Sequence, residues 1–311
     1  MAITRMGTGT ANLGGTGNLL NNAYIEKVFV SSLYKNLLAA PLGRPSTMPE
    51  QSGSKVVRWQ YFSVPTANTT ALTEGGDPPN STDYTTTPKE ATLAEYGGVT
   101  EESKFLMKTA VSGTDEEFAK GLGYQAALTI DTLVLDGTAG FASSTTSVDS
   151  GVAVTADYVR RAAATLGAVD AKFHRTTGGR FYAGIFTSNA AYDLAGEGAP
   201  SWFQAKSSDY FAALTSPFSD SPQSAALYDV LIRKSNNIPT GGGDDLNVVI
   251  ADDSLGIASL DTDIMQPRLI RTPPDMLVSA PLRNRGTVGW WILFSRILFD
   301  SNRVCVLKAD T

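Results

Sequence analysis

The chain has 311 residues, 42% of them hydrophobic, an ordinary globular composition with enough apolar material for one large core or two modest ones joined through a shared layer. Lys and Arg total 25 against 31 Asp and Glu, a formal charge of −6, which gives no long-range attraction to phosphate backbones or acidic membranes; sequence-specific nucleic-acid recognition is not expected. One cysteine, Cys305, and one histidine, His174, exclude a disulfide framework and cysteine- or histidine-based zinc sites of ordinary ligand count.

Residues 1 to 20 carry five glycines and no hydrophobic periodicity, so they are expected to form an extended or disordered arm that a neighbour must order. The segment lacks the basic start and continuous apolar stretch of a secretory signal, and synthesis in a reducing cytoplasm is expected. From Asn22, apolar residues at Ile25, Phe29, Leu33 and Leu37 mark one face of a helix, which Pro41 and Gly43 terminate. Lys55 to Phe62 alternates with a two-residue period: Val57, Trp59 and Tyr61 on one side, Val56, Arg58, Gln60 and Phe62 on the other. A polar stretch from Ser63 to Pro88 follows, and strand-like Lys89 to Gly97 runs back, so the whole reads as a long hairpin. Loops beyond about 15 residues are usually functional or disordered.

At Thr114 a capping box with Glu117 opens a long helix, with Asp115 and Glu116 favouring its positive end. Phe118, Leu122, Ala126, Ile130, Leu133 and Val134 form its apolar stripe and Asp136-Gly137 ends it. Gly121 and Gly123 each weaken it by roughly 1 kcal/mol. A second helix is expected at Thr155, with Val159, Ala162, Leu166 and Val169 on one face. Strand-like Arg180 to Thr187, a short helix over Asn189 to Leu194 and strand-like Leu246 to Ala251 then alternate as in a mixed α/β domain. Strands are also expected over Pro267 to Thr272, Val288 to Phe299 and Arg303 to Lys308. The apolar Val288 to Phe299 run is too short for a bilayer, which needs about 20 apolar residues.

Chemical motifs are weak. His174 reads as a surface or core-edge imidazole and Cys305 as a small buried hydrophobe. Thr240 to Asp245 is glycine-rich yet lacks the Gly-Lys-Ser/Thr ending of a phosphate loop, and reads as a flexible loop. Asp244, Asp245, Asp252 and Asp253 could gather a hard cation, but their spacing fits no calcium loop and solvated turns are the plainer reading. Trp290-Trp291, in so apolar a run, reads as core packing rather than a ligand platform. No catalytic, cofactor or metal residue is assigned.

The order of arm, helix, long strand-loop-strand excursion, spine-like helix, α/β domain and returning strands resembles the Hong Kong 97-type coat fold of tailed double-stranded DNA phages, an α+β class. Lys55-Val-Val-Arg-Trp59, Ala71-Leu-Thr-Glu-Gly75, Ala94-Glu-Tyr-Gly-Gly98-Val and Pro281-Leu-Arg-Asn-Arg-Gly-Thr-Val-Gly-Trp290 are similar to the branch named for the coat protein of the phage N-four. Residues 203 to 245 match little of it. The resemblance implies an N-terminal arm (1–21), an N-terminal helix and connection (22–54), an extended loop (55–98), a peripheral domain with the spine helix (99–151), an axial domain (152–265) and strands returning to the peripheral domain (266–311). It implies a major capsid protein, not an enzyme, that assembles as hexamers and pentamers into the icosahedral head of the virion, without cofactor or membrane. The head would be built in the bacterial host cytoplasm and would touch packaged DNA only non-specifically.

Lys55, Arg58 and Lys89 of the hairpin are expected to approach Glu116 and Glu117 of an adjacent subunit, each exposed pair contributing about 0.2 to 1 kcal/mol. Burial of Trp59 and Tyr61 matters more if they face a neighbour; otherwise they pack on their own chain. A first helix starting near residue 22 leaves no room for an N-terminal scaffolding domain, so a separate scaffolding protein is expected, with a portal and a possible decoration protein. The rival readings are a tail-tube or surface-layer protein, against which the three expected long helices speak, and a metal-dependent hydrolase built on the clustered aspartates.

Overall fold

The computed structural model describes residues 16–48, 53–62, 85–103, 114–149, 151, 153–176, 179–196, 225–260, 267–272 and 284–310, with isolated residues between them. Most of the arm, most of the hairpin tip and residues 203–224 lie outside the described residues.

Helix α1 (Thr16–Asn36) begins six residues before the expected Asn22, because it takes in Thr16 and Gly17, poor helix formers that mask its start. Its buried face is the expected one: Ile25, Phe29, Leu33 and Leu37. Helix α2 (Thr114–Leu135) has the expected limits. Its buried stripe runs through Ala119, Leu122, Ala126, Ala127, Ile130 and Val134, while Phe118 and Leu133 are only half-buried. The two helices run parallel, as three contacts show in sequence. The Tyr24 hydroxyl lies 3.4 Å from a Glu116 carboxylate oxygen, Ser32 Oγ donates to the Lys120 carbonyl at 2.9 Å, and the amides of Leu38, Ala39 and Ala40 donate to Asp131. At their crossing, a Cβ on Gly123 would stand 2.6 Å from the Phe29 carbonyl oxygen. The close approach therefore requires glycine, and the helix contact offsets the propensity it costs.

The first sheet is built around β14 (Arg285–Leu298), fourteen residues long. Strand β4 (Ala94–Ser103) lines one edge, from Ser103 opposite Arg285 to Ala94 opposite Phe294. The other edge carries β13 (Arg268–Thr272) and then β12 (Leu255–Leu260), with β1 (Arg44–Met48) parallel to β12. Val288, Trp290, Ile292 and Phe294 point inward onto α1 and α2, and Trp290 Nε1 donates to Gln125 of α2 at 3.1 Å. Of the tryptophan pair, Trp290 is thus core, whereas the two-residue period puts Trp291 on the opposite face, half-buried.

The second sheet runs β5 (Ser147–Asp149), β15 (Val304–Asp310), β11 (Asp244–Ile250), β7 (Gly179–Phe186), β9 (Val230–Lys234), β8 (Ala225–Leu227), with β6 (His174–Thr176) and β10 (Thr240–Gly241) paired to β7 and β11. Its central strands are apolar on both faces. Ile185, Val248, Ile250, Val304 and Val306 join the core beneath α1 and α2; Tyr182, Phe186, Val249, Cys305 and Leu307 join a second core. That second core is closed by Val159, Ala162 and Leu166 of α3 (Ala156–Ala168) and by Ala190 and Leu194 of α4 (Ser188–Gly196). A strand buried on both sides reads as a continuous apolar run, which is why Leu246 to Ala251 is legible in the sequence. Val169, expected on the α3 stripe, is 48% exposed, as it follows the last helical residue. The glycine-rich Thr240 to Asp245 stretch is a tight hairpin between β10 and β11, with Gly242 and Gly243 at φ 75° and 102°.

Candidate intersubunit surface

Strands β2 (Val56–Phe62) and β3 (Thr86–Thr92) pair antiparallel from Val56 opposite Thr92 to Phe62 opposite Thr86, forming a two-stranded ribbon separate from both sheets. Opposed residues share a face. Val57 with Ala91, Trp59 with Lys89 and Tyr61 with Thr87 therefore make the inner face; Val56 with Thr92, Arg58 with Glu90, Gln60 with Pro88 and Phe62 with Thr86 make the outer one.

The inner face is docked on the chain's own body by three successive β2 side chains. Val57 packs with Met48 and Ala258. Trp59 meets Phe299 edge-on, ring centroids 5.5 Å apart, over Gly256, where a Cβ would lie 2.4 Å from the Phe299 ring and 3.2 Å from the Trp59 ring. Tyr61 accepts a hydrogen bond from Arg303 Nη2 at 2.5 Å, and the guanidinium carbon stands 5.2 Å from the ring centroid. Burial raises the Tyr61 phenol above its usual pKa against the opposing influence of Arg303. Arg303 is itself held by the Asp253 carbonyl at 3.3 Å and by the carboxylates of Asp253 and Asp300, each 3.8 Å away. Asp253 also takes Arg44 at 3.2 Å.

The outer face remains open: Phe62 is 56% and Val56 38% exposed. Arg58 forms an ion pair with Glu90 across the ribbon. Lys55 is exposed and Lys89 half-buried beside Trp59, and neither forms an ion pair among the described residues. Glu116 and Glu117 both reach Lys120 Nζ at 3.0 Å on the surface of α2. The single chain does not bring the hairpin's basic residues to these glutamates. Phe299, Arg303, Asp253 and Asp300, which anchor the hairpin, escape sequence reasoning because some 200 residues separate them from β2 and no local pattern connects them.

A second exposed feature lies on the outer face of the first sheet. Val99 and Ile270, 70% and 53% exposed, flank Gly289, and together with Gly97 and Thr287 they line an open groove of about 310 Å³.

Elsewhere the chemistry is subdued. Cys305 is fully buried and its thiol is pushed up to about 11 by desolvation, the reverse of a reactive thiolate. Burial lowers the pKa of His174, whose Nδ1 lies 3.5 Å from Asp252. Asp244-Asp245 and Asp252-Asp253 stand at opposite ends of β11, roughly 20 Å apart by strand rise. No metal-holding group of histidine, cysteine and carboxylate occurs among the described residues, and no helix among them is long and apolar enough to cross a membrane.

No family model matches the chain, and no curated protein matches its sequence. Solved structures do match. The capsid of Ralstonia phage GP4 superposes with a TM-score of 0.68 at 13% identity, covering 87% of each chain. The head structure of Helicobacter pylori bacteriophage KHP40 gives 0.61 at 10% identity over 90% of this chain and 91% of that one. The SrpI encapsulin of Synechococcus elongatus gives 0.56 at 10% identity over 87% and 86%. Two helices against a sheet built on β14, a hairpin ribbon separate from both sheets and a two-faced α/β layer are thus the Hong Kong 97-type capsid fold, covering nearly nine-tenths of the chain.

Proposed function

We propose that the chain is the major capsid protein of a tailed phage, assembling through hexamers and pentamers into the icosahedral head that encloses double-stranded DNA. The observation that carries this reading is the coat fold shared with phage capsids along nearly the whole chain. The hairpin supports it. Its inner face is fixed to the body, while its outer face presents Val56, Arg58, Gln60 and Phe62 to solvent, a surface that repeated copies of one chain can cover.

In this reading residues 1–21 are the arm, 55–98 the extended loop, 99–151 the peripheral domain, 152–265 the axial domain and 266–311 the returning strands, and the chain stands beside the phage N-four branch. Arg58, Lys55 and Lys89 meet Glu116 and Glu117 only between copies, in competition with their partners Glu90 and Lys120. A separate scaffolding protein, a portal and a decoration protein belong to the same proposal, and the negative shell lets packaged DNA slide rather than adhere.

Electron microscopy of the chain produced together with its scaffolding protein tests the proposal, with regular closed shells as the expected result. A monodisperse compact monomer under all assembly conditions, or in the presence of its scaffold, overturns it. Because an encapsulin shares the fold, nuclease-protected double-stranded DNA inside particles from infected cells is the measurement that supports the phage role itself.

A further inference from the structure

The hairpin ribbon leaves the body between residues 54 and 93, where the Leu93 amide donates to the Lys55 carbonyl at 2.8 Å. Beyond that point β2 is tied down at Val57, Trp59 and Tyr61 in turn. Tyr61 lies farthest from the exit, so its tie acts on the longest lever arm and limits pivoting most. The two inner ties are apolar contacts, which tolerate sliding; the outer one is directional. Arg303 combines a hydrogen bond to the Tyr61 hydroxyl with a position near the ring, and Asp253 and Asp300 fix the guanidinium from other sides. The Arg303 side chain is 15% exposed, so solvent competes little for it.

We infer that the Tyr61–Arg303 contact is a latch that sets the angle at which the extended hairpin leaves the body, making Arg303 a positioning residue for closure of rings between copies. The inference rests on the capsid reading for its consequence, but the latch itself is a property of the single chain. Heterologous contacts close into hexamers and pentamers only when each copy presents its surface within a narrow range of angles. A hairpin that pivots offers a range of angles and therefore a range of curvatures. Neither residue belongs to the two large cores, so the latch can open without unfolding the body.

The test uses the full chain with spin labels on cysteines introduced at Gln60, on the exposed outer face of β2, and at Ala164, on the exposed face of α3; Cys305 is buried and stays unlabelled. Arg303→Ala and Tyr61→Phe are compared with Arg303→Lys by pulsed dipolar spectroscopy, thermal unfolding and electron microscopy of assembly products. A functioning latch gives one narrow hairpin–body distance in the parent chain. That single distance is lost in Arg303→Ala, partly lost in Tyr61→Phe and only partly restored in Arg303→Lys, whose compact ammonium keeps the charge but not the fork of donors, with the unfolding midpoint retained and assembled particles becoming irregular in size. An unchanged distance distribution in Arg303→Ala overturns the latch, as does a loss of the narrow distance that appears only together with global unfolding. Failure of the parent chain to form shells even together with its scaffolding protein overturns the capsid reading instead, and leaves the distance measurement to decide the latch.

Discussion

Asp131 shows how one residue joins several elements. Its carboxylate, on α2 and 1% exposed, accepts the amides of Leu38, Ala39 and Ala40 at 2.7, 3.0 and 3.2 Å, where the chain leaves α1 and enters a short 3₁₀ turn (Ala40–Leu42). Burial raises its pKa from 3.8 to about 6, with the three amides and Arg233 opposing the rise. A carboxyl whose folded pKa is raised binds its proton more tightly when folded. Its contribution to stability is therefore complete below the unfolded pKa near 3.8 and is lost as pH rises through about 6. A shift of this size corresponds to about 3 kcal/mol. His174, whose folded pKa is lowered, acts in the opposite sense, its stability falling as pH drops below 6.5. Asp131→Asn isolates the first effect. Denaturant unfolding from pH 4 to 7 is expected to lose the component of stability that declines with rising pH, with the His174 component intact. Asp131→Ala leaves three amides without their acceptor and should cost about 2 to 4 kcal/mol near pH 4, and less as pH rises through about 6 because the parent then loses its own titrating component. Equal pH profiles for Asp131→Asn and the parent chain would contradict the assignment.

From sequence alone Gly123 is a weak point in a helix, a cost that packing must offset; the structure shows what offsets it. An alanine there would press its Cβ against the Phe29 carbonyl and the Ser32 side chain. Gly123→Ala is thus expected to destabilise by about 1 to 3 kcal/mol although alanine is the better helix former. Gly121, where an added Cβ meets nothing within 4 Å, should gain up to about 1 kcal/mol from the same change. Chemical denaturation of the two variants gives opposite signs if the crossing point is correct.

Among the elements, those whose pattern is local are legible in the sequence. The 3.6-residue stripes of α1, α2 and α3 and the two-residue alternation of β2 each follow from burial of one face, and the apolar β11 and β15 follow from burial of two. The strands that escape notice, β1, β5, β6, β8, β9 and β10, are two to five residues long, too short for a period to register, while in six-residue β12 Gly256 and Ser259 interrupt the apolar run. The candidate surface is half legible. Alternation correctly separates Val57, Trp59 and Tyr61 from Arg58, but cannot say which face meets the body, since Phe299 and Arg303 come from the other end of the chain. Trp59→Ala tests the consequence. Removing a half-buried indole from the Phe299 and Gly256 contact should destabilise the ribbon by about 2 to 4 kcal/mol. Hydrogen exchange should accelerate at β2 and β3 while the amides of β11 and β15 stay protected. Equal loss of protection in both regions would mean that the ribbon is not a separate unit.

At the scale of the whole molecule the second sheet is the shared wall of two cores, and this determines how the protein unfolds. In β15, Val306 faces the core beneath α1 and α2, and its neighbour Leu307 faces the core closed by α3 and α4; both are essentially unexposed. A strand cannot release one of these residues without moving the other, because its backbone is bonded on one side to β11 and on the other to β5. Separate domains joined by a linker would melt independently, but two cores built on the two faces of one sheet lose the sheet together. Val306→Ala and Leu307→Ala are therefore expected to lower the same transition, by about 1 to 3 and about 2 to 5 kcal/mol respectively, in the unassembled chain. Calorimetry should show one endotherm in each variant, with circular dichroism and tryptophan fluorescence following one curve. A second transition appearing only in Leu307→Ala would show that the α3 and α4 layer melts on its own, and would remove the rigid link through which contacts on one side of a subunit reach the other.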